Sequence, residues 1–144
     1  MLILFVFLNL LSLNKKYLKY IPDPNDRKIV LFFFQQFEEF VFPQLDKLRT
    51  SIIHNDTNEW NILLKKNKEL AIIDFGDLAK TQLVNEVAIA MVYASYSNEN
   101  PLENASIILK SYNKVIKLTN TEISLIYYFM ASKLCISVCN SAFS

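Results

Sequence analysis

The chain has 144 residues, 52% of them hydrophobic and 13% aromatic, with a formal net charge of +1. That is one domain's worth of apolar material, which excludes disorder over most of the length, and the scattered charges advertise no nucleic-acid or polyanion partner. Glycine occurs once, at Gly76, so a Walker loop or a Rossmann fingerprint, each built on several glycines, is excluded.

The first 19 residues open on the apolar run "MLILFVFLNLLSL". It lacks a basic stretch ahead of it and a small-residue cleavage site behind it, so it does not read as an export signal. It is also shorter than the ~20 residues that span a bilayer. Being apolar nearly all round, it predicts a buried helix with Phe5, Leu8 and Ser12 on one face. "IPDPNDRKIVLFFFQQFEEFVFPQL" then predicts a capped helix. Asp23 is its N-cap, Pro24 its first residue, and Asp26 adds negative charge to the first turn. Ile29, Phe33, Phe37 and Phe40 or Val41 recur at helical spacing, and Pro43 ends the element.

Short β-branched runs follow. "SII" and "ILL" bracket the polar stretch from His54 to Asn61, and Ile62–Leu64 is expected to pair with Leu70–Ile73 across a "KKNK" turn. From Thr81 to Tyr96 the period is helical again, with Val84, Val87, Ala88, Met91, Val92 and Ser95 on one face. Asn100-Pro101 starts another helix, and "TNTE" at 119–122 is a capping box opening a last one. The fold class expected is therefore mainly α with a small β-hairpin (α+β). Cys135 and Cys139, with the single histidine His54, are too few for a zinc site. They are expected as reduced thiols packed in the last helix, which fits a cytoplasmic protein.

The polar stretch carries the chemistry. Phosphoryl transfer to an alcohol needs a carboxylate to orient and deprotonate the hydroxyl, and oxygen ligands for magnesium. Asp56 can be that base, and Asn61, five residues on, can share the metal with Asp74; this spacing is that of the kinase catalytic loop. The proposed hairpin would return Asp74 beside Asn61. Gly76 would let the backbone bend directly after it.

These residues carry a family likeness. "IIHNDTNEWNILL", "AIIDFGD", "TQLVNEVAIAMVYA" and "ASKLCISVCNSA" make the chain from about residue 20 onward resemble the C-terminal lobe of the aminoglycoside phosphotransferase/choline kinase family, which has the protein-kinase-like fold. Within it the chain is most similar to hydroxylysine kinases and to phosphotransferase domains fused to class III aminotransferases. The resemblance implies Asp56 as catalytic base, Asn61 and Asp74 as magnesium ligands, and ATP or GTP as phosphoryl donor. It implies a scaffold role for His54, bonding backbone near Asp74, and a bracing role for Glu86 on the catalytic loop. Asn58 is either a hydrogen-bond donor to the transferred phosphate or a plain loop residue. Asp77 either extends the metal shell, touches a substrate amine, or is a surface or capping aspartate. The implied acceptor is a small hydroxylated amine or amino acid, with no nucleic acid and no membrane as partner. The family's N-terminal nucleotide lobe has no counterpart here, so the expectation is a 1–144 catalytic-loop and metal lobe that needs a missing lobe or fused domain. The competing expectation is a non-catalytic remnant or a protein-interaction module.

Overall fold

The computed structural model describes residues 14–96 and 99–144, and the apolar run at 1–13 lies outside them. The chain divides into two units. One holds residues up to Lys47 together with Tyr127–Ser144, and the other is Leu48–Ile126.

In the first unit the helical residues 14–17 (α1) run into a 3-10 turn at Leu18–Tyr20. Helix α2 (Pro24–Phe40) starts as its sequence dictates. Asp23 is extended, and its carboxylate accepts from the Asn25 amide at 2.7 Å while Pro24 occupies the first helical position. A 3-10 turn over Phe42–Lys47 carries Pro43 and ends the run. The buried stripe of α2 is Val30, Phe34 and Phe37, continued by Val41. This corrects the expected Ile29–Phe33–Phe37 face. Ile29 is 55% exposed, and Phe33 sits at the margin, edge-on to Tyr127 at 6.3 Å. Three consecutive phenylalanines satisfy helical periodicity in two phases one residue apart. The phase adopted is the one that sets Phe37 edge-on against Phe129, at 5.2 Å and 84°.

Phe129 belongs to α5 (Asn120–Phe143). Phe40 stacks on its Tyr128 and Tyr17 on its Phe143. By length and apolarity alone α5 could cross a bilayer, a property it shares with core helices. Its buried Phe129, Ala131, Cys135 and Cys139 supply part of this unit's packing. The two cysteines are free thiols. Burial pushes Cys135 up to about 12, with the neighbouring Cys139 adding to it, so neither is a ready nucleophile.

The second unit carries two antiparallel pairs. Strand β1 (Thr50–Ile53) pairs with β4 (Ala79–Gln82) in the register Thr50↔Gln82 to Ile53↔Ala79. Strands β2 (Ile62–Leu64) and β3 (Leu70–Ile72) form the expected hairpin, with Ile62↔Ile72 and Leu64↔Leu70. The pairing of "SII" with residues 79–82 was not expected, and the helix anticipated from Thr81 begins instead at Leu83. Its first residues are drawn into β4 because β1 offers their backbone a partner, and the Leu83 amide still donates to the Arg49 carbonyl at 2.8 Å. Helix α3 (Leu83–Ser95) then buries Val84, Val87, Ala88, Met91 and Val92 as read from the sequence, while Ser95 is only half-buried and Ile89 is buried as well, and α4 (Pro101–Val115) packs along the helix.

The start of α5 is a reciprocal capping box. The Thr119 hydroxyl accepts from the Glu122 amide at 3.2 Å, and the Glu122 carboxylate accepts from the Thr119 amide at 2.7 Å. Arg49 clamps the same carboxylate through both of its oxygens, at 2.9 and 2.6 Å, and also reaches the Lys117 carbonyl. Burial alone would push the Glu122 carboxyl up. The bonds from Arg49 and Thr119 outweigh it and hold the group below the ordinary carboxylate range.

Candidate active site

Two loops leave the facing ends of these strand pairs: residues 54–61 between β1 and β2, and residues 73–78 between β3 and β4. Paired strands therefore fix where both loops begin and end. One step beyond the hairpin's last pair, the Ile73 amide donates to the Asn61 carbonyl at 3.0 Å. Asn61 thus lies across the ladder from the residue that precedes Asp74. A second tie comes from His54, whose Nε2 lies 2.8 Å from the Ile73 carbonyl. A carbonyl only accepts, so Nε2 carries the proton. Nδ1 is buried and has no hydrogen-bond partner among the described residues, which fits a scaffold role for the ring. The His54 ring also packs against Phe75 at 5.3 Å.

Within the first loop everything turns on Asp56. Its Oδ1 accepts from the Tyr93 hydroxyl at 2.9 Å. Its Oδ2 accepts from Asn58 Nδ2 at 2.9 Å and from Asn61 Nδ2 at 3.3 Å. Asn61 Nδ2 also donates to the Asp56 carbonyl at 3.0 Å, so the Asn61 amide nitrogen is turned onto Asp56 and its Oδ1 is the atom left for a hard cation. Asn58 shapes the turn as well: its Oδ1 accepts from the backbone amides of Trp60 and Asn61. The Asn58 side chain is therefore engaged inside the loop.

Helix α3 holds the loop from beneath. Asn55 sits in the left-handed region, φ 67°, which asparagine tolerates better than most residues. Its amide donates to Glu86 Oε2 at 2.9 Å, its side-chain oxygen accepts from Asn85 at 3.0 Å, and the Thr57 hydroxyl donates to Glu86 Oε1. Glu86 and Tyr93 lie seven residues apart, two helical turns, so both project from one side of α3 toward the loop. Tyr93, Asn85 and Thr57 were not read from the sequence. The signal that could have found them is the polar stripe Asn85, Glu86, Tyr93 on a helix whose other face is apolar. Burial first, and then the Asp56 carboxylate, pushes the Tyr93 hydroxyl up to about 12, so it remains a donor at neutral pH.

In the second loop Asp74 is left-handed, φ 61°, and its Oδ1 lies 3.4 Å from the Gly76 amide at the start of a 3-10 turn, Phe75–Asp77. This corrects the reason given for the glycine. Gly76 has no positive φ; the unusual backbone belongs to Asp74. What Gly76 supplies is clearance, since a Cβ there would come within 3.3 Å of Asp74 Oδ1. Asp77 stands exposed at the end of the turn.

Among the described residues no group of three His, Cys, Asp or Glu side chains converges to hold a metal. An amide oxygen from Asn61 and a carboxylate from Asp74 are nevertheless the hard donors that magnesium takes. Magnesium commonly binds through one or two protein ligands and completes its shell with phosphates and water.

Residues 11–112 match the model of the phosphotransferase enzyme family. Curated relatives include hydroxylysine kinase of Mus musculus, 30% identical over 92% of this chain, and hydroxylysine kinase of Xenopus laevis, 30% identical over 83%. Hydroxylysine kinase of Bos taurus is 28% identical over 92% of the chain. The chain spans only 38%, 34% and 38% of the lengths of these three relatives. No solved structure matches it. A mainly helical lobe with a small hairpin, a carboxylate-centred loop and a match over most of its length converge on one conclusion: the chain belongs to the phosphotransferase enzyme family.

Proposed function

We propose that this chain supplies the acceptor-activating and metal-holding half of a nucleotide-dependent phosphotransferase acting on a hydroxyl of a small amine or amino acid. Hydroxylysine is the favoured acceptor, because the curated relatives carry that name. The observation that carries the reading is the fixed carboxylate of Asp56, held by donors from Tyr93, Asn58 and Asn61 on a loop that backbone bonds tie to the Asp74 strand.

In the reaction, Asp56 orients the acceptor hydroxyl and takes its proton as the new oxygen–phosphorus bond forms. The bond from the γ-phosphorus to the nucleotide's bridging oxygen breaks, and the nucleoside diphosphate leaves. Asn61 Oδ1 and the Asp74 carboxylate would hold magnesium, which when bound to ATP or GTP neutralises charge on the transferring phosphoryl group. His54 ties the first loop to the backbone ahead of Asp74, and Glu86 braces that same loop through the Asn55 amide and the Thr57 hydroxyl. The phosphates need cover from a nucleotide-holding lobe. The hairpin and the end of the loop before it offer such a partner an apolar surface, with Leu64 71% and Trp60 79% exposed.

The test joins this chain to the amino-terminal part of a hydroxylysine kinase and measures magnesium- and ATP-dependent phosphorylation of hydroxylysine. Asp56→Asn lowers turnover ~10²-fold or more, as loss of a general base does. Equal turnover in that variant would remove Asp56 from the assignment.

A further inference from the structure

Strand β3 presents an open edge. Among the described residues it has β2 on one side and no strand on the other. Its ladder to β2 is bracketed by two backbone bonds, from the Lys65 amide to the Glu69 carbonyl at 2.8 Å and from the Ile73 amide to the Asn61 carbonyl at 3.0 Å. Hydrogen-bonded and non-hydrogen-bonded pairs alternate along an antiparallel ladder. Glu69, Ala71 and Ile73 therefore direct their ladder bonds to β2, and Leu70 and Ile72 turn their backbone groups outward. Natural sheets guard such an edge with a proline, a bulge or a charge in the strand. The Leu-Ala-Ile of β3 has none of these, and its leucine and isoleucine are exposed. A two-stranded hairpin is also marginal by itself, and further strands stabilise it.

We propose that this edge pairs with the same edge of a second copy of the chain, antiparallel about a two-fold axis at Ala71, giving a four-stranded sheet in the order β2-β3-β3-β2. Register, charge and access select this occupant. Centred on Ala71, the pairing sets Leu70 opposite the second copy's Ile72, and the reverse. These are the two residues whose backbone groups point outward, so each opposed pair can exchange both of its bonds. Their side chains each meet an apolar neighbour. The ends are complementary in charge. Lys68 and Asp74 stand three residues to either side of Ala71, so each meets its opposite on the second copy. Both are exposed, and neither joins an ion pair among the described residues, whereas Glu69 is already paired with Lys65. The outer edge of β2 is the poorer candidate, because it runs into Asn61, which is buried. Beyond β3, by contrast, residues 73–78 are all exposed and leave the approach open. The interface is isologous, so pairing through β3 closes at two copies. It uses the edge of the hairpin rather than its faces, and it stands whether or not the chain transfers phosphate.

Sedimentation of the full chain from about 1 to 300 µM, the span of weak interfaces, should show a monomer–dimer equilibrium. Hydrogen exchange at the Leu70 and Ile72 amides should slow as the concentration rises. Ile72→Pro removes one outward amide and leaves the ladder to β2 intact, and it should weaken the dimer about tenfold or more. Two charge variants carry the test if that one does not fold. Lys68→Asp and Asp74→Lys each set like charges together at both ends of the interface, and each alone should weaken association about tenfold or more. Mixed in equal amounts, the two variants restore opposite charges at both ends. The mixed dimer should then return to within about threefold of wild type. A chain that stays monomeric across the whole range would overturn the proposal. So would association indifferent to all three variants, assembly beyond two copies, or a dimer whose Leu70 and Ile72 amides exchange as fast as in dilute solution.

Discussion

Glu86 is the residue on which the loop's shape depends most. Its carboxylate receives the Asn55 amide on one oxygen and the Thr57 hydroxyl on the other, and Asn55 is held there at φ 67°. Hydrogen bonds to a charged group contribute roughly 1.5–3 kcal/mol each. Glu86 is only partly buried, so the lower end applies to each bond. Replacement water returns some of the loss at Thr57, while release of the left-handed Asn55 backbone makes local opening easier. Glu86→Ala should therefore cost about 2–3 kcal/mol, concentrated in the loop. Each ~1.4 kcal/mol is a factor of ten, so exchange of the Asn55 amide with solvent should quicken by roughly 30- to 140-fold. Amide exchange read residue by residue, alongside urea unfolding, checks both the size and the location. Glu86→Gln, which keeps the shape and one acceptor oxygen, should fall about midway. Wild-type exchange at Asn55 in Glu86→Ala, with stability unchanged within about 0.5 kcal/mol, would refute the bracing role.

Two further perturbations address the scaffold. Arg49→Met strands the fully buried Glu122 carboxylate. Because Arg49 is 44% exposed, the expected loss is about 2–3 kcal/mol, below the roughly 3–5 for a wholly buried pair. The folded-state pKa of Glu122 is depressed, so the pair's contribution is fully present above the unfolded carboxylate pKa and is lost as pH falls through the folded value. The gap between wild type and Arg49→Met in urea midpoints should thus be widest at neutral pH and close on acidification; a gap that widened in acid would contradict the sign. Phe37→Ala empties a fully buried site between Phe42 and Phe129 and should cost about 3–5 kcal/mol by chemical denaturation.

What could be read from the sequence was what lies close along it. Asp56 and Asn61 are five residues apart on one loop, and the hairpin that carries Asp74 back is closed by a short turn, so spacing alone set them in order. The capping box at Thr119–Glu122 and the cap at Asp23 were legible for the same reason: each is a bond between near neighbours. The contacts that complete the site are not local. Tyr93 reaches Asp56 across 37 positions, and no periodicity announces which polar residue of a helix will face a loop. Residues 79–82 form a strand only because β1, some 29 residues earlier, pairs with them. The phase of α2 was ambiguous because Phe32, Phe33 and Phe34 satisfy two stripes equally, and Phe129 decides between them. Gly76 was given the wrong reason, because a sequence shows where glycine stands but not whether backbone freedom or clearance requires it.

We propose that Asn61 and Asp74 share a divalent cation beside Asp56. Manganese, a paramagnetic stand-in for magnesium, tests it directly when titrated into the isotope-labelled chain. Amide broadening should be strongest at Asn61, Ile73, Asp74 and Gly76, be relieved by excess magnesium, and disappear in Asp74→Asn. Broadening centred on another carboxylate, such as Asp23 or Asp26, or left unchanged by Asp74→Asn, would rule out a cation shared by Asn61 and Asp74.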